Sequence, residues 1–327
     1  MQYHIEPYTP AQDVDWFVAR QFESTRENNA LPPADSPEEQ VAAHRQELLG
    51  FLGSQAHAQI LICKQVNGAP LGYIWIAERG SCDPWDFGAT PAWIYDLWVD
   101  PTYRRRGLGK ALLLAACQWA RDIGFSRIGL HVFGGNQVAI HLYLATGFYT
   151  AHAYLQKQLN SQPVVHPAGD APYRVVRFTS THDPGELTAL WYENFKAVSQ
   201  AYGTPEEDRL LDQFNQLSAK ADFDSQKQTT FIAYDPQDRL AGFVRIYRSK
   251  GDLGDQAYTW MWAPEMSTRT PRQPALAALL QQVDAWSWEQ NLNVIRTGPY
   301  PDSDLCSQVQ TWGYTAANLF MFKSLEK

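Results

Sequence analysis

Basic residues are scarce in this chain: 27 lysines and arginines stand against 35 aspartates and glutamates over 327 residues, a formal net charge of −8. Binding along a nucleic-acid backbone needs a basic face that displaces counterions, so nucleic acid is not expected as a partner. Cysteine is scarce too. Cys63, Cys82, Cys117 and Cys306 show no C-x-x-C spacing, which argues against a disulfide framework and points to reduced thiols in a cytoplasm. No metal cofactor is expected. The run of about eighteen apolar residues that a membrane helix needs is missing. The opening MQYHIEPYTPAQD places acids and prolines where a signal peptide has its apolar region, so neither membrane nor export is expected.

Hydrophobic residues make up 45% and aromatics 13% of the chain, enough to bury sizeable cores. Its length suits two domains better than one. Gln2 to Thr9 reads as a first strand, followed by a helix with Val14, Phe17, Val18 and Phe22 at helical spacing. Ser36, Pro37 and Glu39 mark a capped start to a second helix through EEQVAAHRQELLGFL. AQILICKQV and PLGYIWIAER, joined by NGA, form a hairpin, and PAWIYDLWVD supplies a third extended stretch. Leu108, Leu112, Ala115, Ala116 and Trp119 then form one apolar stripe of a helix ended by Gly124. The strand RIGLHVF, a short helix with Val138, Leu142 and Ala145 on its apolar face, and the strand FYTAHAYLQKQL complete the first half.

The stretch NSQPVVHPAGDAP, with three prolines and little pattern, reads as a linker. We therefore expect domains at 1–160 and 173–327 with a linker at 161–172. Beyond it the chain repeats itself at long period: PLGYIWI is echoed by RLAGFVRIY, YDLWVDP by YTWMWAP, and ATGFYTAHAYLQKQL by TWGYTAANLFMFKSL. Ordered echoes at such a period indicate a duplicated domain.

DPTYRRRGLGKALL carries the chemistry. Three arginines, Arg104 to Arg106, precede Gly107 and Gly109, and an apolar helix follows. Backbone amides at a helix start converge on an anion with the positive end of the helix dipole behind them. Glycines let that backbone come close, and the arginines add charge-assisted contacts. Alone, the motif reads equally well as a turn beside a solvated basic run. Its place decides: a strand ending LWVDP comes directly before it and the apolar helix directly after it.

In that setting the segment resembles motif A of the GNAT superfamily of acyl-CoA-dependent N-acyltransferases, through Arg104, Gly107 and Gly109. A second element of that family is met by Asn136, Ala139, Leu142, Tyr143, Gly147 and Phe148. The resemblance covers roughly residues 2–160. It implies an α/β (α+β) fold, a central mixed and mostly antiparallel twisted sheet flanked by helices, repeated in tandem. It also implies fourth and fifth strands that splay to admit the pantetheine arm of acetyl-CoA. By the same resemblance the diphosphate rests on the amides of Arg105, Arg106, Gly107, Leu108, Gly109 and Lys110, with Arg104 and Asn136 contributing. Pantetheine pairs like an added strand with Leu97, Trp98 and Val99.

Acyl transfer to an amine needs an acceptor for the amine proton, a donor for the oxyanion and a proton for the leaving thiolate. An amide near Leu97 to Val99 suits the oxyanion. Tyr143, carried over from the family's helix tyrosine, suits the thiolate. For the base the fourth strand offers Asp96, with a water relay or no dedicated base as rivals. Strict alternation groups Ile94, Asp96 and Trp98 on one face and Tyr95 and Leu97 on the other, and leaves open which face meets the cleft. The acceptor is expected to be a small-molecule amine, selected by the two early helices and the loop ERGSCDPWDFG, with the second domain as a further candidate contributor. Trp85, Trp93 and Trp98 with Glu23, Glu27, Glu38 and Asp86 would favour an apolar or aromatic amine, and read equally as an acidic, Trp-rich surface and core.

In the second half both motif glycines are gone, Pro271 and Pro274 stand in the loop, and Val309 and Asp302 replace Tyr143 and Asn136 when counted back from Gly313. Proline has no N–H to offer. The expected activity is therefore an N-acetyltransferase with one site, in the first half; the alternative is an acyl-CoA sensor or scaffold without turnover.

Overall fold

The computed structural model describes residues 2–28, 37–55, 57–79, 91–163, 173–201, 207–219, 223, 228–250, 257–301 and 304–325. Outside them lie Ser36, Cys82, Trp85, Asp86 and Asp302, most of the ERGSCDPWDFG loop and most of the expected linker; the Glu27 and Glu38 side chains are likewise not described. Contacts in space divide the chain into two units, Met1–Thr150 with Phe320–Lys327, and Ala151–Leu319.

The first unit runs β1 (Tyr3–Pro7), α1 (Pro10–Asn28), α2 (Pro37–Ser54), β2 (Gln59–Gln65), β3 (Pro70–Glu78), β4 (Ala92–Val99), α3 (Leu108–Ile123), β5 (Arg127–Phe133) and α4 (Gln137–Ala145), passing into β6 (Tyr149–Gln158). Its sheet order is β1-β2-β3-β4-β5, antiparallel except for the parallel pair β4/β5. The next place is taken by the end of the chain's last strand, from Phe320. Trp93 lies across Gly129 to reach that strand, with ring centroids 5.9 Å from Phe320 and 5.8 Å from Phe322. A Cβ on Gly129 would come within 2.6 Å of the indole. One sheet face packs on α1 and α2 through Phe17, Val18, Leu48, Tyr73, Trp75 and Trp98. On the other lies α3, its Leu108, Leu112, Ala116 and Ala120 buried, and it ends at Gly124 with φ 100°.

The short helix α4 departs from expectation. Ile140 and Tyr143 are its buried residues, whereas Val138 is 72% exposed. Three-residue spacing with the following Phe148 selects that face, because Phe148 is 3% exposed and its ring sits 5.8 Å from Tyr143.

The second unit repeats the order with β7 (Arg174–Arg177), α5 (Pro184–Ala201), α6 (Glu207–Ser218), β8 (Gln228–Tyr234), β9 (Leu240–Ser249), β10 (Tyr258–Trp262), β11 (Glu265–Met266), α7 (Arg272–Glu289), β12 (Val294–Pro301), α8 (Asp304–Gln310) and β13 (Thr315–Ser324). Its sheet order is β7-β8-β9-β10-β12-β6, with β11 also on β9. Leu276, Leu279, Leu280 and Val283 of α7 are buried against it, as their spacing predicts. No helix among the described residues is long and apolar enough to cross a membrane.

Candidate active site

The site begins where β4 leaves β5. Against β3, β4 pairs from Ala92↔Glu78 to Val99↔Gly72. Against β5 it pairs only through Ala92↔Ile128, Trp93↔Gly129 and Ile94↔Leu130. The β4/β5 register ends at Ile94↔Leu130, so the strands splay as expected. Their parting coincides with a bulge: Ile76 faces Ile94 and the adjacent Trp75 faces Asp96, leaving Tyr95 as the extra residue. A bulge strengthens twist and bends its strand, turning β4 away from β5.

The bulge also corrects the alternation expected for β4. Cross-strand pairs share a face, so Asp96 and Trp98 lie with Trp75 and Tyr73 on the α1/α2 side. Ile94 lies opposite, with Ile76. Tyr95 is not sent to the far face: its ring stacks on Trp75 at 4.9 Å and 23°. Asp96 therefore sits among aromatics. Trp98 stacks on Tyr73 at 6.2 Å, Trp16 meets Trp98 edge-on at 6.0 Å, and Arg20 lies 5.8 Å above Trp98. Trp93 belongs instead to the packing across Gly129, and Glu23 is spent on an exposed ion pair with Arg20 at 2.6 Å.

Two hydroxyls hold Asp96. Tyr73 donates to it at 2.5 Å from the neighbouring strand and Ser24 at 3.2 Å from α1. Burial pushes its carboxyl up to about 6, against the lowering effect of the Tyr73 and Ser24 hydroxyls and the Leu97 amide. At neutral pH it is mostly ionised and remains a fair proton acceptor, which is the range a general base needs. Neither hydroxyl partner is marked by the motifs. Tyr73 is legible only once β3 and β4 are put in register, and Ser24 only once α1 is laid on the sheet.

After Val99 the chain is pinned before the helix. The Asp100 carboxylate accepts from the Thr102 amide at 2.8 Å and its hydroxyl at 2.6 Å, over a 3-10 turn at Pro101–Tyr103. Arg104 Nε donates to the Val99 carbonyl at 2.9 Å, so one of the three arginines braces the strand end. Arg105 has φ 59° and Gly107 φ 84°, a left-handed pair that swings the chain into α3. Ala111 N already donates to Gly107 O at 3.0 Å. The amides of Leu108, Gly109 and Lys110 are thus the ones a helix start leaves without an internal acceptor. Gly109 keeps α3 close to α4, since an added Cβ would stand 3.3 Å from Leu142 Cδ2.

Tyr143 sits on α4, 8% exposed, and its hydroxyl has no hydrogen-bond partner among the described residues. Burial first, and then the charge of Asp96, push its phenol well above the usual range, so it stays protonated. The Tyr143 phenol thus feels the charge of Asp96, 47 positions away in sequence (143 − 96). Asn136 caps α4, its Oδ1 accepting from Ala139 N at 3.1 Å.

The second unit shows the same framework with its chemistry removed. Register against the preceding strand sets the correspondence: Gly72 faces Val99, and Gly242 faces Met266. Ile76 faces Ile94, and Ile246 faces Met261. The spacing between these anchors is equal, so the same one-residue bulge recurs, and Tyr95, Asp96, Leu97 and Trp98 correspond to Trp262, Ala263, Pro264 and Glu265. This corrects the echo of YDLWVDP with YTWMWAP, which is offset by four residues. At the base position stands an alanine, and at the first expected pantetheine position a proline without an N–H. The loop before the helix shortens from residues 100–107 to 267–271. Val309 on α8 is buried where Tyr143 stands, counted from Gly147 and Gly313, whose φ values are 89° and 86°.

The acetyltransferase (GNAT) family matches residues 20–148. An uncharacterised N-acetyltransferase of Bacillus subtilis, YycN, is 36% identical over 89 residues, 27% of this chain and 54% of its own length. The mycothiol acetyltransferase of Salinispora tropica is 33% identical over 160 residues, 47% of each chain. The chain thus spans about half the length of these curated relatives. A solved GCN5-related N-acetyltransferase from Sphaerobacter thermophilus, 16% identical, superposes with a TM-score of 0.51 over 99% of this chain and 96% of that one, a likeness of fold along the whole length. Residues 20–148 match the acetyltransferase (GNAT) family, and the chain's duplicated element order carries the fold of the solved neighbour in tandem through the second unit.

Proposed function

We propose that this protein is an acyl-CoA-dependent N-acetyltransferase that transfers acetyl from acetyl-CoA to the primary amine of a small molecule, with one active site in the first unit. The observation that carries this reading is the parted β4 edge leading through Arg104 to Lys110 into the open amides of α3, with the charge of Asp96 reaching the Tyr143 phenol beside it. The diphosphate lies on the amides of Leu108, Gly109 and Lys110, with Arg105, Arg106 and Gly107 before them and Asn136 at the start of the facing helix. Pantetheine adds along Leu97, Trp98 and Val99 as a strand.

In the reaction the amine lone pair attacks the thioester carbonyl carbon, and the oxyanion is met by an amide of Leu97 to Val99. Collapse breaks the C–S bond. Asp96 takes the proton lost by nitrogen, directly or through water, and the Tyr143 hydroxyl gives its proton to the leaving thiolate, so charge balances over the cycle. Trp16, Tyr73, Trp98 and Tyr95 around Asp96 favour an acceptor with an apolar or aromatic body. The second unit, with Ala263, Pro264 and Val309 at the matching places, supports structure or acceptor selection rather than transfer.

The test is thiol release from acetyl-CoA with a panel of amines, read beside the mass increase of the acceptor. Turnover with at least one amine, lost in Asp96→Asn, is expected. Saturable coenzyme A binding with no thiol release for any amine would replace the enzyme with a sensor.

A further inference from the structure

The α5 side of the second unit's sheet holds a cluster that acyl transfer does not use. Ile246 and Met261 point into the core under α7. Their neighbours Arg245 and Trp262, together with the paired Tyr247 and Trp260, therefore face the other way. Arg245 is 7% exposed, yet its guanidinium makes no hydrogen bond or ion pair with any described residue. It lies flat on Trp191 of α5 at 4.0 Å, with Trp262 at 5.6 Å and Phe223 at 5.9 Å. On the same face the indole Nε1 of Trp260 is buried without a partner, its ring 6.1 Å from Trp262. A guanidinium carries five donors and no acceptor, and leaving buried donors unmet costs about 1–3 kcal/mol each, more for a charged group. One buried donor without a partner, Trp260 Nε1, on the same face as a guanidinium walled by indoles describes a site for an anion.

We propose that this face binds a small organic monocarboxylate with an apolar body, its carboxylate taken bidentately by Arg245 and within reach of Trp260 Nε1. A planar carboxylate matches the guanidinium fork. One guanidinium balances one negative charge, which suits a monocarboxylate better than a dianion such as phosphate. Burial pushes the Glu265 carboxyl up to about 8 against the opposing effects of Arg245 and Asn194, so it stands mainly protonated at neutral pH. Trp262, 37% exposed, forms the open wall against which an apolar body lies. Arg245 occupies on β9 the place of Trp75 on β3, so an anion-holding group stands where the first unit lines its Asp96 cleft. The proposal does not depend on catalysis in the first unit.

Calorimetric titration of the full chain at pH 7 with acetate, hexanoate, benzoate and inorganic phosphate tests it. Hexanoate or benzoate should bind saturably and more tightly than acetate, and phosphate should not compete. Arg245→Gln and Arg245→Lys should each weaken binding at least tenfold, the lysine because an ammonium presents no fork, and Trp262→Ala should weaken benzoate more than acetate. Coenzyme A titrated into the same variants should bind as in the parent, keeping this result separate from the first unit's. Failure of all three carboxylates to bind, equal binding by the parent and Arg245→Gln, or preference for phosphate would each overturn the assignment.

Discussion

Asp96 shows how one residue's surroundings set its use. Its carboxyl lies at about 6 because burial outweighs three hydrogen-bond donors, so the rate it supports should track its ionised fraction. The rate ratio of the parent to Asp96→Asn should fall tenfold per pH unit below about 6 and stay level above it. The acceptor's own titration cancels in that ratio. General-base removal typically costs about 10²–10⁴-fold in rate; a level ratio across the range would assign the proton to water. Tyr143→Phe keeps the packing on Phe148 and removes only the hydroxyl, so kcat should drop by about 10²-fold with KM and thermal midpoint little changed. Glu265 makes a stability claim of the same kind. An acid whose carboxyl is raised in the folded state, here from 4.5 to about 8, favours folding while it is protonated in both states. That contribution is lost as pH rises through the interval between the two values. Glu265→Gln should therefore match the parent in melting at pH 4 and exceed it at pH 9; the reverse order would mean that the ionised form is the one held. Of these groups, Tyr143 stood out in sequence because it lies in a motif with a fixed order, and Asp96 because it is the carboxylate that the fourth strand offers before its end. Tyr73, Ser24 and Arg245 did not, since a hydroxyl or a cation inside an apolar strand or helix has no meaning until its cross-strand partner is known.

The turn between β4 and α3 is the element most fully legible in sequence: strand end, arginines, two glycines and stripe each constrain the backbone locally. Its boundaries follow from the chain itself, α3 starting at Leu108 and stopping at Gly124. The bulge at Tyr95 was not legible, because an extra residue is defined only against the strand it pairs with. The same absence misaligned the echo in the second half. Two glycines at the ends of one helix give a controlled experiment. Gly107 and Gly124 both have left-handed φ, 84° and 100°, with open space where a Cβ would go. Alanine at either should cost about 1 kcal/mol of stability. Only Gly107→Ala should also weaken coenzyme A, by about tenfold, since it re-aims the amides of Leu108 to Lys110. Equal affinity in the two variants would move the diphosphate away from this helix start.

Over the whole chain, duplication was readable from the echoes, and both units keep one strand order. What the echoes could not say is which sheet receives each final strand. ATGFYTAHAYLQKQL and TWGYTAANLFMFKSL are alike in pattern, and two sheets of the same design offer each the same edge. In space, residues 151–158 belong with the second unit and 320–327 with the first. There Phe322 and Leu325 are 6% and 4% exposed, Lys323 donates to Thr146 O at 2.6 Å beside α4, and the Leu325 amide donates to Ser126 O at 2.8 Å. The first unit's sheet is thus completed by residues that a cut at the linker would remove. Each buried Phe-sized side chain lost costs about 3–5 kcal/mol, a large share of the about 5–15 kcal/mol that holds a domain. A chain ending at Leu319 retains every residue proposed to touch coenzyme A, yet it should lose coenzyme A binding and show a lowered first thermal transition. Residues 1–163 alone should behave likewise. A synthetic peptide spanning residues 315–327 should restore binding to the shortened chain. If the shortened chain instead bound coenzyme A and melted as the full chain does, the closing strand would be dispensable and the first unit would fold from its own half.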